Sequence, residues 1–438
     1  MKRLKIAVVG SGVSGLSAAW LLSKSHDVTV FEAGPDLGGH ARTISLDLEN
    51  KVSVDCGFIV YNEKTYPNLT ALFSHLGVET AASKMGFAVS LKAGSYEYSG
   101  SGPFNFVGSI GNLKSAAHWR MMQGMAKFLR LAKLDFSGVD ESLTLAAFMQ
   151  AEGFSKDFVD LHLLPVAGAI WSSDPQSMLD YPAKSFLQFF KNHGLLNYAD
   201  RPQWRTVTGG SKNYVEKLVA DGAFHSHINM GVRSVARQHY GVSLALENGQ
   251  EEHFDHAVLA THADTALSLI EKPSTAETDI LKTFEYTNNP IHVHRDHQFM
   301  PKAKRHWSSW NYVATNTEGA LTYWMNCLQP LNTKQNIFVS LVNDGHALPK
   351  DILYSTTFRH PKFTTATAQA QRALWDLQGQ DRLWFCGAYF GSGFHEDGLQ
   401  AGLAVAEELG GISRPWNLPS ANDRLIMPQI NVSHEAAE

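Results

Sequence analysis

The first 32 residues contain the feature that most constrains the fold. Lys5-Ile-Ala-Val-Val9 is an apolar run of strand length that leads directly into Gly10-Ser-Gly12-Val-Ser-Gly15. A second run, from His26 to Phe31, follows after a helix-length interval and ends at Glu32. Strand, glycine turn, helix, strand and terminal acid in this order predict a βαβ unit that binds a dinucleotide.

Each residue of this motif has a physical task. Gly10 permits the tight turn, Gly12 removes the side chain where a pyrophosphate must approach the backbone, and Gly15 lets the helix pack on the strand. The N-terminus of the helix then faces the phosphates. We expect Glu32 to accept hydrogen bonds from the ribose hydroxyls and to repel a 2′-phosphate.

A second glycine pair follows in Gly38-Gly39-His40-Ala41-Arg42, ahead of the short segment Val54-Asp-Cys-Gly-Phe58. Together with the first motif, this segment resembles the flavin-containing amine oxidase, protoporphyrinogen oxidase and phytoene desaturase superfamily, in which a Gly-Gly-Arg-like segment lies along FAD. This chain has His40 where arginine is usual. The resemblance implies that Arg42 lies near the pyrophosphate or flavin, with a plain surface cation as the alternative.

The C-terminal part of the chain resembles the closing FAD motif of the same superfamily. Residues 382–409 have the pattern of a buried strand, a glycine loop and a helix. The helix that starts near Gly398 would place its partial positive charge beside reduced flavin. Leu399, Leu403, Ala406 and Leu409 form one apolar face of that helix, and Gly402 allows a close approach.

The string from Gly393 to Leu399, Gly-Phe-His-Glu-Asp-Gly-Leu, resembles a narrower subgroup. Its members are bacterial FAD proteins associated with cyclopropane-synthase-like lipid methyltransferases, including desaturases of methyl-branched acyl chains in furan fatty acid formation. This resemblance implies a lipid substrate and a lipid methyltransferase partner. His395 or Glu396 is the predicted catalytic base. The alternative is structural, with Asp397 capping the helix and Glu396 bonding the ribityl chain.

The resemblance implies FAD as the cofactor. The residues expected to contact it are Gly10, Gly12, Val13, Ser14, Gly15, Glu32, Ala33, Gly38, Gly39, His40, Ala41, Arg42, Val232, Gly387, Glu396, Asp397, Gly398 and Leu399. Val232 is included because a strand near residues 228–235 passes the adenine in this superfamily. For Val232 and Val235, a role as core valines is an equally good interpretation.

Composition favours a cytoplasmic enzyme. The 438 residues are 44% hydrophobic, and 37 basic against 42 acidic residues give a net charge of −5, which does not favour nucleic acid as a partner. The three cysteines form no CxxC pair and no disulfide framework. We predict neither a signal peptide nor a membrane span.

The positions of the nucleotide motifs predict an α/β fold with a Rossmann-type FAD-binding domain and a discontinuous, mixed α+β substrate domain. The FAD-binding domain is assigned to residues 1–75, 204–283 and 356–414. The substrate domain, with a helical cap, takes residues 76–203 and 284–355. Residues 415–438 are predicted to form an extended tail.

Residues 114–134 predict a basic amphipathic helix. Arg120, Lys127, Arg130 and Lys133 approximate one stripe, and the opposite side is rich in methionine. One interpretation is a helix that lies on an anionic membrane surface, which would make the chain peripheral on the inner face of the membrane. The alternative is a cap helix that packs into the substrate domain.

Three other features of the sequence bear on its chemistry. His292 and His294 share one face of a strand, but no further ligand is spaced to complete a metal site, so an exposed strand explains them and no metal is predicted. Cys386 is interpreted as a buried strand residue rather than a flavin tether. Because the chain has no second GxGxxG motif, electrons are expected to leave the flavin for oxygen, a quinone or a protein carrier.

The sequence therefore predicts an FAD-dependent enzyme that desaturates a lipid acyl chain by hydride transfer to flavin N5. An allylic or methyl-branched allylic position is the credible site, since the developing cation is delocalised there. One alternative is an amine or polyamine oxidase, with Tyr389 and Trp324 as candidates for an aromatic cage. The other is a non-catalytic flavoprotein partner of a lipid-modifying complex.

Overall fold

A computed structural model of the chain describes residues 2–100, 105, 107–131, 134, 136, 138–171, 175–192, 202–314, 319–342 and 347–428. The strands are β1 (Lys5–Val9), β2 (Asp27–Phe31), β3 (Thr43–Asp47), β4 (Lys51–Asp55), β5 (Tyr61–Asn62), β6 (Thr80–Ser83), β7 (Phe87–Leu91), β8 (Tyr96–Ser99), β9 (Trp204–Val207), β10 (His225–His227), β11 (Val232–Gln238), β12 (Gly241–Leu246), β13 (Glu251–Phe254), β14 (His256–Leu259), β15 (Tyr286–His294), β16 (Trp310–Ala314), β17 (Gly319–Trp324), β18 (Phe338–Leu341), β19 (Ile352–Pro361) and β20 (Leu383–Phe385).

The α-helices lie between groups of these strands and after the last strand. They are α1 (Val13–Leu22), α2 (Pro67–Leu76), α3 (Ile110–Leu113), α4 (Ala116–Leu131), α5 (Leu145–Ala151), α6 (Lys156–Phe158), α7 (Leu164–Trp171), α8 (Ala183–Asn192), α9 (Lys212–Asp221), α10 (Ala263–Leu269), α11 (Thr275–Leu281), α12 (Met325–Leu328), α13 (Thr365–Gln371) and α14 (His395–Gly410). None of the helices that the structure describes combines the length and the apolar character that crossing a bilayer requires.

The chain folds into two compact units. The first unit comprises Met1–Asp36, Gly222–Phe284 and Ala366–Glu438, and the second comprises Leu37–Asp221 and Glu285–Thr365. These limits differ from those of the predicted domains for two reasons. β3 and β4 contribute to a hydrophobic core of the second unit, and β9 pairs with β5 and β6 in that unit. Compactness does not test which segments bind FAD, so the predicted domain assignment stays a prediction.

The first unit contains a five-stranded sheet in the order β10-β2-β1-β14-β20, in which every pair is parallel. β1, β14 and β20 are buried apolar runs, as expected for a parallel sheet covered on both faces. Strands β11, β12 and β13 form a separate antiparallel sheet. The predicted α/β class is confirmed.

The second unit contains a seven-stranded mixed sheet in the order β19-β15-β18-β17-β16-β7-β8. Alternation along β15 sends Ile291 and Val293 into a core that also contains Val54 of β4. The helical part packs around Phe128 of α4, whose ring lies 5.7 Å from that of Phe158. This mixed sheet with helices agrees with the predicted substrate domain.

Two expected elements differ from the structure. The predicted helix over 114–134 is α4, which covers Ala116–Leu131, while Lys133 lies outside the described residues. The expected extended tail is wrong as far as residue 428, because Trp416 stacks on Trp20 at 5.9 Å and Arg424 bonds Asp397. Residues 429–438 lie outside the described part of the chain.

Candidate functional site

The glycine loop of the first unit contains two kinds of glycine. Gly10 and Gly15 are required by backbone conformation and close packing, whereas Gly12 is not. A Cβ atom on Gly15 would lie 2.0 Å from the Gly10 carbonyl oxygen, and Gly10 has a φ of +100°. Gly12 differs, since its φ is −65° and a Cβ atom there would meet no described atom within 4 Å. Gly12 has no internal reason to be glycine, and this fits a loop that a pyrophosphate approaches.

The Glu32 side chain is hydrogen-bonded to the same loop. One carboxylate oxygen accepts hydrogen bonds from the backbone N–H of Ser11 at 3.0 Å and from its hydroxyl at 2.5 Å, and the other accepts from the Gly34 N–H at 2.8 Å. A carboxylate has about four acceptor positions, so acceptor capacity remains for a ribose hydroxyl. Glu32 therefore shapes the loop as well as fitting the predicted ribose contact.

The first turn of α14 lies against the start of α1. A Cβ atom on Gly398 would lie 2.9 Å from Val13 Cγ1, and one on Gly402 would lie 2.1 Å from the Ser14 carbonyl oxygen. The two glycines, four residues apart, share one face of α14 and allow this approach. The structure thus brings two helix N-terminal turns, both predicted to face the cofactor, side by side.

The three ionisable residues that begin α14 have different surroundings. Asp397 is fully buried and accepts hydrogen bonds from the N–H groups of Ser392 and Phe394, while Arg424 pairs with it at 2.9 Å. The capping role of Asp397 is confirmed. Glu396 is also fully buried, and Gln400 Nε2 donates to it at 3.2 Å. His395, the first residue of the helix, is half-buried. The catalytic assignment of His395 and Glu396 stays a prediction.

The second glycine pair lies in the second unit. Gly38 and Gly39 have φ values of +114° and +57°, which favour glycine. The His40 imidazole stacks on Phe358 with 4.7 Å between ring centroids. Burial lowers the pKa of His40 to about 4, although a hydrogen bond with the Arg359 backbone acts in the opposite direction. The residue that replaces the usual arginine is therefore neutral at pH 7, and Arg42 is half-buried nearby in the chain.

Sequence reasoning did not single out Asp55 as a buried acid. Its carboxylate accepts hydrogen bonds from Ser211 N–H at 2.9 Å, Thr43 Oγ1 at 2.5 Å and Gln329 Nε2 at 2.8 Å. Burial raises the pKa of Asp55 to about 6, and bonds from Thr43 and Ser211 limit that rise. Its only sequence signal is an acid at the end of the alternating run Lys51-Val-Ser-Val.

The two strand histidines have structural partners. His294 Nδ1 accepts from the Asp296 N–H, so its Nε2–H donates to Ser340 Oγ at 2.7 Å. His292 Nδ1 bonds Ser355 Oγ at 2.8 Å. Both are buried, so the expectation of an exposed strand is wrong: β15 is paired on both sides. The described residues contain no group of three or more ligands able to hold a metal.

The remaining candidates occupy defined positions. Cys386 is fully buried after β20, and burial raises the pKa of its thiol to about 12. Val232 starts β11 opposite Leu246, and Val235 is fully buried, as a core valine would be. Ala33 is exposed after β2, Gly387 is buried after β20, and Leu399 is buried in α14. Whether Val232, Ala33, Gly387 and Leu399 contact FAD stays a prediction.

The family of the chain follows from comparison with known proteins. The model of the flavin containing amine oxidoreductases matches residues 13–325, so the chain belongs to this family and is an oxidoreductase whose cofactor is FAD. Protoporphyrinogen oxidase 2, chloroplastic/mitochondrial, of Arabidopsis thaliana is 28% identical over 181 residues. That match covers 40% of this chain and 34% of the plant protein, about a third of its length.

Solved structures share the fold at low sequence identity. A CLA-producing fatty acid isomerase from P. acnes has a TM-score of 0.68 and 15% identity, covering 93% of this chain and 97% of that chain. Cyclohexylamine oxidase from Brevibacterium oxydans has a TM-score of 0.67 and 17% identity, covering 93% and 100%. These similarities concern the fold alone.

Proposed function

We propose that this FAD-dependent oxidoreductase desaturates a neutral lipid acyl chain at an allylic or methyl-branched position. The bound FAD would supply a two-electron hydride acceptor. His395 or Glu396 would take the accompanying proton, and the buried first turn of α14 would hold both residues in place. The product would be two hydrogens lighter than the substrate.

The observation that carries this proposal concerns the buried acids of the second unit. Among the residues described there, the buried carboxylates are those of Asp55 and Glu97. Asp55 accepts hydrogen bonds from Ser211, Thr43 and Gln329. Glu97 accepts hydrogen bonds from Ser90 Oγ at 2.8 Å, Lys302 N–H at 2.6 Å and Ala303 N–H at 3.1 Å. Both carboxylates serve the fold. A substrate ammonium would have neither of them as its counter-ion, which favours an uncharged substrate.

The aromatic residues suggested for an amine cage also have packing roles. Tyr389 is buried, with its ring 5.3 Å from Phe284 in the first unit. Trp324, in the second unit, packs edge-on to Trp307 at 5.4 Å and donates its Nε1–H to Asn336.

Membrane attachment and a lipid methyltransferase partner belong to the same proposal. Lys114, just before α4, and Arg130, on α4, are exposed. Trp119 of α4 is 50% exposed. Arg120 pairs with Asp157 at 2.5 Å, and Lys127 lies over the Phe154 ring at 4.7 Å. The buried Met121 and Phe128 support the cap-helix role, so α4 would rest on an anionic membrane only through its outer side.

Mass spectrometry of total lipids tests the proposal. Cells that express the protein with a lipid methyltransferase should accumulate an acyl product two mass units lighter, and a His395→Ala, Glu396→Gln double variant should not. The matched control is His253→Ala with Glu216→Gln, at two exposed positions. Acyl chains that stay unchanged with a fully FAD-loaded protein would contradict the desaturase proposal. A flavin that neither lipids nor amines reduce would indicate the non-catalytic alternative.

A further inference from the structure

Two buried polar side chains flank Trp204 on one face of the small sheet of the second unit. The strand order is β5-β9-β6, and both Asn62 and Ser83 lie directly opposite Trp204 in the register. Directly opposite residues of antiparallel strands point to the same face. Since strands are spaced by about 4.8 Å, the backbones at Asn62 and Ser83 lie roughly 10 Å apart, with Trp204 between them in the register.

Each of these side chains has a polar group with no hydrogen-bond partner among the described residues. Asn62 is 0% exposed, and its Oδ1 accepts the Thr65 N–H at 3.0 Å, which identifies Nδ2 as the donor end of the amide. Nδ2 has no partner, and neither has Oγ of Ser83, which is 3% exposed. Burying unpaired donors is unfavourable, so two on one face indicate a ligand that supplies acceptors.

The surroundings restrict the charge of that ligand. By strand alternation, this face of β5, β6 and β9 carries Asn62, Ala81, Ser83, Trp204 and Thr206, all of them uncharged. The neighbouring cation on β9, Arg205, lies on the opposite face, where its Nε donates to Thr80 Oγ1 at 2.9 Å. A carboxylate bound here would lose its hydration without gaining a cation. Neutral oxygen acceptors on an apolar body fit the face better.

We propose that Asn62 and Ser83 donate hydrogen bonds to oxygens of two separate ester groups of one lipid, with its apolar part against Trp204. The substrate is then an esterified acyl lipid and not the free fatty acid. This inference rests on the proposed function, because it assigns the polar end of the same acyl substrate.

Binding of a diacylglycerol, which carries two ester groups, and of the matching free fatty acid tests the assignment. Both are added in neutral detergent micelles to the FAD-loaded full chain, and the change in the flavin absorbance spectrum gives the affinity. Wild type should bind the ester at least tenfold more tightly than the acid. Ser83→Ala should weaken ester binding several-fold with unchanged FAD content, and Ser83→Thr should restore it. Ser45→Ala, at an exposed position of β3, should have no effect.

Asn62→Asp provides the second variant, because it keeps an acceptor for the Thr65 N–H and removes the donor. It should weaken ester binding tenfold or more. Loss of FAD in both variants would assign the donors to the cofactor and overturn the inference. Unchanged affinity in both would leave only a trapped water. Equal binding of ester and acid by wild type would overturn this inference alone, whereas binding of neither would overturn the lipid function as well.

Discussion

Arg424 Nη1 lies 2.9 Å from Asp397 Oδ1, across 27 residues of chain. The Asp397 side chain is 0% exposed and that of Arg424 is 18% exposed, so the pair is largely removed from solvent. Asp397 also accepts the Phe394 N–H at the start of α14. The C-terminal segment therefore fixes the helix turn that sequence reasoning assigned to the flavin.

We expect Arg424→Ala to lower the free energy of unfolding by about 3 kcal/mol, because removal of one partner leaves a buried charge uncompensated. Urea denaturation of the apoprotein measures the change. Arg3→Ala is the matched control, since Arg3 and Asp27 form an exposed pair with side chains 64% and 61% accessible. Its effect should stay below about 1 kcal/mol. Equal effects of the two substitutions would show that burial of the Arg424–Asp397 pair does not increase its contribution to stability.

Gly12→Val and Gly15→Ala should have opposite consequences. The Gly12 Cβ meets no described atom within 4 Å, so the Gly12→Val apoprotein should fold normally and lose its yellow FAD. The Gly15 Cβ would lie 2.0 Å from the Gly10 carbonyl oxygen, so Gly15→Ala should cost about 1–3 kcal/mol of stability. The absorbance ratio at flavin and protein wavelengths, with urea denaturation, separates the two. A Gly12→Val protein that retains full FAD would refute the assignment of this loop.

Asp55 should give stability a measurable pH dependence. Its pKa rises from 3.8 to about 6 on folding, so the folded state binds more protons between these values and the Asp55 contribution falls as pH rises through this window. Over this range the loss is about 3 kcal/mol. The lowered pKa values of His40 and His294 act in the opposite direction, with stability lost as pH falls.

The difference between wild type and Asp55→Asn isolates this contribution. Unfolding free energies from denaturant titrations at pH 4 and pH 7 should show the stability of wild type, relative to Asp55→Asn, falling on going to pH 7. A difference that does not change with pH would mean that Asp55 titrates normally in the folded protein.

The sequence predicted the nucleotide motifs because they are local. The order β1, α1, β2 and the helix after Cys386 depend on glycine spacing and apolar runs that lie within a few dozen residues. Gly402 was also expected to allow a close approach, and its Cβ position faces the Ser14 carbonyl oxygen. Such features follow from neighbours in the chain.

Other features depend on contacts between distant segments, and the sequence held no signal for them. Asn62 and Ser83 meet Trp204 only because strands from two stretches of chain pair. The C-terminal segment was predicted to be extended, but it packs on the first unit through contacts such as that between Arg424 and Asp397. The histidines of β15 were expected on an exposed strand because alternation gives the face of a side chain but not what covers it.

Membrane binding through α4 should depend on salt and on the basic residues of the predicted stripe. Each basic residue near an anionic surface contributes about 1 kcal/mol, so a quadruple glutamine variant of Arg120, Lys127, Arg130 and Lys133 should sediment much less with anionic vesicles. Arg233→Gln with Lys272→Gln, two exposed positions of the first unit, is the control. Equal, salt-insensitive sedimentation of all three proteins would leave α4 as a cap helix only.

Anaerobic reduction of the bound flavin tests the central claim most directly. The FAD-loaded protein is mixed without oxygen with an esterified, allylic or methyl-branched acyl lipid, or with a polyamine such as putrescine, and flavin absorbance is followed. We predict that the lipid bleaches the flavin and yields a product two mass units lighter, while the polyamine leaves the spectrum unchanged. Bleaching by micromolar polyamine with no response to the lipid would contradict the account and identify an amine oxidase.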